Sequence, residues 1–231
     1  MNERYQRQIL LPEIGEEGQL KLKDARVLLV GAGGLGCPIA LYLTSAGVGH
    51  LGMMDDDVVN ISNLGRQVLY TEEEVGQSKA LCAVRRLKAL NGEINITPYP
   101  IRLTKDNADE IISQYDLVVD GCDNHATRYL ISDTCFRLKK AYVYAAIGAF
   151  HGQIAILCHG KNAATYRTLF PDEETMCALQ AEKGVIGSTP AVIGSMAANE
   201  VLKFIIGYGE TLVNRLWHID LLTLNTQIIQ L

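Results

Sequence analysis

No two of the six cysteines (Cys37, Cys82, Cys122, Cys135, Cys158 and Cys177) stand in C-x-x-C spacing. That scatter argues against a disulfide framework and predicts reduced thiols, most of them small core residues. There is no run of about 18 uninterrupted apolar residues, so no membrane span is expected. The opening segment MNERYQRQIL is charged and lacks the apolar core of a signal peptide. Together these absences make the cytoplasm the expected compartment. Basic residues are not in excess either, and the net charge of -5 argues against a nucleic-acid partner, while leaving room for a local basic pocket. Internal repeats and low-complexity tracts are also missing. What is present is a chain of 231 residues, 48% hydrophobic, long enough for one large α/β domain spanning 1–231 with a well-buried core.

The order of elements follows from periodicity and turn chemistry. An amphipathic segment over roughly 12–22 precedes a continuous apolar run, Arg26 to Val30, of the kind a parallel strand shows when both its faces are covered. A glycine-rich turn, Gly31 to Gly36, leads into a helix over about 35–46, then a strand over 50–54 and an acidic run, Asp55-Asp56-Asp57. A helix is predicted over about 77–90, stopped by Asn91-Gly92, then a strand near 94–103. Thr104 reads as the N-cap of a helix running to about 114, with Asp106 in its first turn. A strand over 116–120 and a helix to about 138 follow, then strands near 142–147 and 153–157. Residues 160–188 are polar and irregular, a long crossover loop of the kind that is often functional. A helix over 191–206 and strands near 215–221 and 224–229 complete the chain. This alternation predicts a Rossmann-like, doubly wound α/β fold with a mostly parallel sheet. Antiparallel strands are expected at its C-terminal end.

The turn Gly31-Ala32-Gly33-Gly34-Leu35-Gly36 sits between a strand and a helix. Glycine lets backbone N–H groups approach a phosphate, and the helix N-terminus adds partial positive charge. Asp55, 24 residues after Gly31 and at the end of the second strand, is placed to accept hydrogen bonds from ribose hydroxyls. These features predict an adenine nucleotide without saying which, and an NAD-dependent dehydrogenase also satisfies them. The residues that follow point elsewhere. Asn63-Leu64-Gly65-Arg66-Gln67, Lys79 at the start of a helix, and Asp123-Asn124 after the fourth strand supply two cations and a carboxylate at the ligand-binding edge of the sheet. When a carboxylate attacks the α-phosphate of ATP and pyrophosphate leaves, Arg66 and Lys79 can offset the developing charge and Asp123 can hold magnesium.

The segments YQRQILLPEIG, VLLVGAGGLG, GMMDDDVVNISNLGRQ, VGQSKA and VDGCDN, with AVIGSMAANEVLKFIIGYGE near the C-terminus, occur in the order and spacing of the ThiF/MoeB/HesA family, which the chain resembles over nearly its whole length. The resemblance implies an ATP-dependent adenylyltransferase that acts on the C-terminal Gly-Gly carboxylate of a ubiquitin-like sulfur carrier protein, with thiamine thiazole synthesis as the expected pathway. The molybdopterin branch is the close alternative. It further implies a nucleotide site of Gly31, Gly33, Gly34, Gly36, Asp55, Ser62, Asn63, Arg66, Lys79, Asp123 and Asn124, with ATP and magnesium as cofactors. Arg7 matches an arginine that reaches into the partner subunit's site, which implies a homodimer.

The chain also departs from the family. Many members hold a structural zinc with two C-x-x-C pairs; here the first position reads Thr165-Tyr166-Arg167-Thr168, and hydroxyls are poor zinc ligands beside thiolates, so no zinc is expected. Cys177 lies near a position where some members carry a sulfur-transfer cysteine. Glu173 and Glu174 disfavour a thiolate there and Lys183 favours one, so the acyl-linked and bystander readings both stand. His125 follows Asp123-Asn124, but a C-terminal carboxylate is already ionised at neutral pH and needs no general base; His125 reads as a helix N-terminal residue. His50, His151, His159 and His218 show no metal-ligand spacing. Besides the dehydrogenase, the remaining alternatives are a non-catalytic nucleotide-binding dimer and a tRNA-modifying dehydratase. The acidic balance counts against tRNA.

Overall fold

A computed structural model describes residues 3–179 and 184–231. Its helices are α1 (Gln6–Ile9), α2 (Gly15–Asp24), α3 (Gly36–Ala46), α4 (Lys79–Leu90), α5 (Ala108–Ser113), α6 (His125–Leu138), α7 (Tyr166–Leu169), α8 (Glu173–Ala178) and α9 (Ser188–Ile206). Its strands are β1 (Arg26–Val30), β2 (His50–Met54), β3 (Asn95–Tyr99), β4 (Leu117–Asp120), β5 (Ala141–Gly148), β6 (His151–Leu157), β7 (Arg215–Asp220) and β8 (Asn225–Gln230). They form one eight-stranded sheet in the order β3-β2-β1-β4-β5-β6-β7-β8. β3 through β5 run parallel, and β6, β7 and β8 add antiparallel hairpins. This is the α/β architecture expected from the alternation, with the antiparallel part at the C-terminal end as predicted.

β1 lies at the centre and alternates between two cores. Val27 and Leu29 pack into one with α2, α3, α4 and α9, while Leu28 and Val30 pack into the other with α5 and α6. Side chains of successive strand residues point to opposite faces, so the five-residue run RVLLV is covered on both sides after its first residue. At the far edge, β3 tolerates Pro98 because an edge strand need not donate on its outer side.

Three boundaries differ from the sequence reading. β3 ends at Tyr99 instead of running to Leu103, since the following Pro100 has no N–H to donate. Thr104 is not the N-cap of α5. The side chain of Asn107 accepts the Thr104 N–H at 2.8 Å and donates to the Arg102 carbonyl at 3.0 Å, so the chain makes a closed turn before the helix starts at Ala108. α9 begins at Ser188, three residues earlier than expected, and takes Pro190 within its first turn, where no intrahelical donor is lost.

Within the segment 160–188, the described residues 160–179 are more ordered than an irregular loop. It contains α7 and α8, and Arg167 ties them to α6: its guanidinium reaches both carboxylate oxygens of Asp133 at 3.0 and 2.7 Å and Glu173 at 2.7 Å. The same guanidinium lies 4.9 Å from the centre of the Tyr129 ring, and the Tyr129 hydroxyl donates to the Phe170 carbonyl at 2.7 Å. Thr165 and Thr168 form a capping box around α7.

Candidate functional site

The order of strands reverses direction between β1 and β4, and in open α/β sheets ligands bind where such a reversal opens a crevice at the carboxyl ends. Two glycines bring the ends together. Gly31, at the end of β1, has φ +99°, and a Cβ there would lie 2.5 Å from the backbone of Gly121, just beyond β4. Gly36 opens α3 so close to the turn that a Cβ would lie 2.0 Å from the Gly31 carbonyl oxygen. The result is a cleft of about 530 Å³ at this edge of the sheet.

Most of the residues singled out in the sequence meet in this cleft. Gly31, Gly33, Gly34, Asp55, Arg66, Lys79, Asp123 and Asn124 all line it. Gly36 packs behind the turn. Ser62 and Asn63 lie on a short 3-10 turn outside the lining: Asn60 caps it by accepting the Ser62 N–H and hydroxyl, and Asn63 returns a side-chain acceptor to the Asn60 N–H. Arg7, on α1, is exposed and also lies outside the wall of its own chain's cleft.

Asp55 joins the glycine turn to β2. One carboxylate oxygen accepts the Ala32 N–H at 2.7 Å and the other the Asp57 N–H at 2.9 Å. Burial raises its carboxyl above the ordinary carboxylate range, against the opposing pull of those two hydrogen bonds. Each oxygen keeps a second lone pair for a hydroxyl donor. Lys79 is only 5% exposed and donates to Asp57 at 3.0 Å, so a compact cation is held in the wall by one carboxylate. Arg66 donates to the Ser62 carbonyl at 3.0 Å and has no carboxylate partner among the described residues. Asp123 is exposed to the cleft, and no described residue pairs with its carboxylate. Asn124 caps α6 by accepting the Thr127 N–H at 2.9 Å.

His125 is the first residue of α6, as the sequence reading has it. Its Nδ1 lies 2.6 Å from the Tyr166 hydroxyl, and burial, with Arg128 nearby, lowers its pKa. Cys177 sits on α8, exposed, with Glu173 and Glu174 in the first turn of the same helix; Leu179, two residues on, lines the cleft but Cys177 does not. Lys183, weighed as a partner for that thiol, lies outside the described residues. Among the described residues no group of three or more His, Cys, Asp or Glu is placed to hold a metal ion by itself.

Two features went unread in the sequence. Gln67 is buried in the cleft wall beside Gly33, and its amide oxygen has no partner among the described residues. Its place directly after Arg66 was the only local signal. Asp120 and Arg128 form a buried ion pair at 3.0 Å beneath the turn that carries Asp123, and Arg128 also lines the cleft. The cleft offers an anion the cations of Arg66 and Lys79, with the unengaged Asp123 carboxylate in the same wall, beside a backbone turn that can approach phosphate closely.

A family profile described as the ThiF family matches residues 5–231. Among curated proteins, a Thermus thermophilus "Sulfur carrier protein adenylyltransferase" is 49% identical over 226 residues, covering 95% of this chain and 83% of that protein. The mouse "Adenylyltransferase and sulfurtransferase MOCS3" is 46% identical over 90% of this chain, and the Mycobacterium tuberculosis "Probable adenylyltransferase/sulfurtransferase MoeZ" is 42% identical over 98%. The chain spans 45% and 59% of those two longer relatives. Among solved structures, E. coli MccB with ATP superposes with a TM-score of 0.88 at 23% identity, covering 100% of this chain and 71% of that one. PaaA superposes at 0.85 with 21% identity, covering 99% and 72%. At these identities the likeness to solved structures carries the fold. No helix among the described residues is long and apolar enough to cross a membrane.

Proposed function

This chain belongs to the ThiF family, and on that premise we propose that it transfers AMP from ATP to the C-terminal Gly-Gly carboxylate of a ubiquitin-like sulfur carrier protein. The enzyme class is that of its relatives, adenylyltransferase. The observation that carries the reading is the meeting of Arg66, Lys79 and the unengaged Asp123 in one cleft beside the Gly31–Gly36 turn. In the reaction a carboxylate oxygen of the carrier attacks the α-phosphorus, the bond to the bridging oxygen breaks, and pyrophosphate leaves with its electron pair. The acyl-adenylate keeps the AMP unit. Lys79 and Arg66 offset charge on the phosphates, and they do so in a partly buried wall where such contacts are stronger than in water. Asp55 accepts from the ribose, and Gln67 offers its buried amide oxygen to a donor on the nucleotide. No side chain is needed as a base.

The donor set fits magnesium in the manner usual for nucleotide enzymes, where one carboxylate and the phosphates share the ion with water. Asp123 is the carboxylate available for it, and bound magnesium would supply charge neutralisation at the phosphates. Residues 1–231 are read as one adenylyltransferase domain in a cytoplasmic setting, with six free thiols. An acyl link from the exposed Cys177 to the carrier belongs to the same reading as an optional step, since adenylation proceeds without it.

The experiment is ATP–pyrophosphate exchange with magnesium and carriers ending in Gly-Gly, with a tail-less carrier as control. Exchange that depends on the tail is the expected result; exchange that ignores the tail, or none with any carrier, would sink the reading. Preference for the thiamine thiazole carrier is the finer expectation. A Porphyra purpurea relative named "Probable molybdopterin-synthase adenylyltransferase", 41% identical, favours the molybdopterin carrier as the second reading, and the preferred carrier separates the two.

A homodimer with crossed sites is part of the same proposal. Arg7 is exposed on α1 beside the exposed Leu10 and Leu11, outside its own cleft. Arg7→Ala and Arg66→Ala should each lose exchange activity, and mixing them with subunit exchange should restore about a quarter of it, the share expected if one site per mixed dimer is intact and half the dimers are mixed. Freely exchanging subunits that recover nothing would rule the crossed arrangement out.

A further inference from the structure

The buried ion pair beneath the cleft has no part in the chemistry described so far. Asp120, the last residue of β4, is wholly buried, and Arg128, on α6, is 7% exposed. One oxygen of Asp120 accepts from Arg128 Nε at 3.0 Å and from the Tyr142 hydroxyl at 2.9 Å; the other accepts the Cys122 N–H at 2.9 Å. Arg128 Nη2 in turn donates to the Cys122 carbonyl at 2.9 Å. Both backbone polar groups of Cys122 are therefore fastened by the two members of one ion pair. The next residue is Asp123, whose own carboxylate nothing in the described chain restrains. On its other side Asn124 is fixed by its cap on α6.

For stability alone this is a poor use of two charges. Removing both from water costs more than their attraction readily returns, and apolar residues of similar volume commonly serve as well. What the pair provides, and a hydrocarbon cannot, is a directed grip on one peptide unit. Arg128 can supply it because its planar fork presents Nε and Nη2 in fixed relation, one to the carboxylate and one to the carbonyl. Burial opposes the charge on Arg128, but Asp120 beside it holds the proton more firmly, so the grip persists across working pH.

We propose that Asp120 and Arg128 are positioning residues that hold the backbone at Cys122 so that the Asp123 carboxylate faces the nucleotide phosphates. The proposal rests on the adenylation reading of the cleft.

Arg128→Lys keeps the positive charge but cannot reach Asp120 and the Cys122 carbonyl in the same fork geometry, and Asp120→Asn keeps an acceptor for the Cys122 N–H while removing the ion pair. Three readouts separate positioning from simple support. Amide hydrogen exchange over 121–124 should quicken in both variants while the core strands stay protected. Pyrophosphate exchange should fall roughly 10- to 100-fold, with a higher magnesium concentration needed for half the maximal rate. In an Asp123→Asn background, adding Arg128→Lys should cost little more, because groups acting as one unit are non-additive. Folded variants with wild-type amide protection and wild-type exchange would overturn the proposal, as would losses that multiply independently of Asp123. Unfolding of both variants would assign the pair to stability alone and overturn it too. If the wild-type protein exchanges pyrophosphate with no carrier, the adenylation reading fails instead, and amide exchange over 121–124 still reports on the clamp.

Discussion

Asp123→Ala should lower ATP–pyrophosphate exchange by about 100-fold or more, with the melting temperature within about 2 °C of wild type. The two halves of that result come from one observation. The carboxylate is exposed to the cleft, accepts no hydrogen bond from the described chain and joins no ion pair there, so the fold loses almost nothing with it. The bound nucleotide loses the one carboxylate in the wall that neither a cation nor a hydrogen bond of the described residues engages, and with it a fixed charge where magnesium is to sit. Asp55 and Asp57 cannot substitute, because the first is engaged by two backbone N–H groups and the second by Lys79. Calorimetry of ATP binding alongside the exchange assay gives the check. A variant that turns over normally would remove Asp123 from the site, and one that loses both activity and stability would make it a structural residue.

Gly36→Ala should cost about 3 kcal/mol or more of stability, seen as a melting temperature lower by roughly 6–12 °C for a domain of this size. The added Cβ would lie 2.0 Å from the carbonyl oxygen of Gly31, a backbone atom that cannot rotate away. Relief requires moving the start of α3 or the glycine turn, and the turn is itself pressed against Gly121 across the end of β4. Nucleotide affinity should fall with stability, since the displaced turn is the phosphate cradle. Gly33→Ala is the control: its Cβ would meet only the Gln67 amide nitrogen at 3.7 Å, an ordinary contact, and Gly33 has no positive φ. It should leave the melting temperature nearly unchanged. Equal losses from the two substitutions would mean that glycine is needed for chain flexibility and not for close approach.

Much of this architecture could be read from the chain because its signals are local. The run from Arg26 to Val30, the glycine turn after it and the helix after that follow one another within 21 residues, and each is set by alternation, by turn chemistry or by helix period. The strand ends place Asp55, and the start of α4 places Lys79, without reference to distant parts of the chain. Family likeness added the roles of those residues, which spacing alone left open between two kinds of nucleotide enzyme.

Where local signals compete, the sequence misplaces the boundary. Thr104 has the right chemistry for a helix cap, but Asn107 engages its N–H first and the helix waits four residues. The segment 160–188 looks shapeless because its order comes from elsewhere: Arg167 finds Asp133 34 residues away on α6, and Tyr166 finds His125 41 residues away. Asp120 and Arg128 are only eight residues apart, yet the clamp on Cys122 exists only because β4 ends where α6 folds back over it and β5 supplies Tyr142. The sequence by itself determined the α/β order, the glycine turn and which charged residues stand at strand and helix ends, because backbone sterics and side-chain period act over a few residues. Tertiary structure decided which of those charges are spent on each other and which are left facing the cleft. Pairing depends on sheet register and on the packing of α6, and only those bring Lys79 to Asp57 and Arg128 to Asp120 while leaving Asp123 without a partner among the described residues.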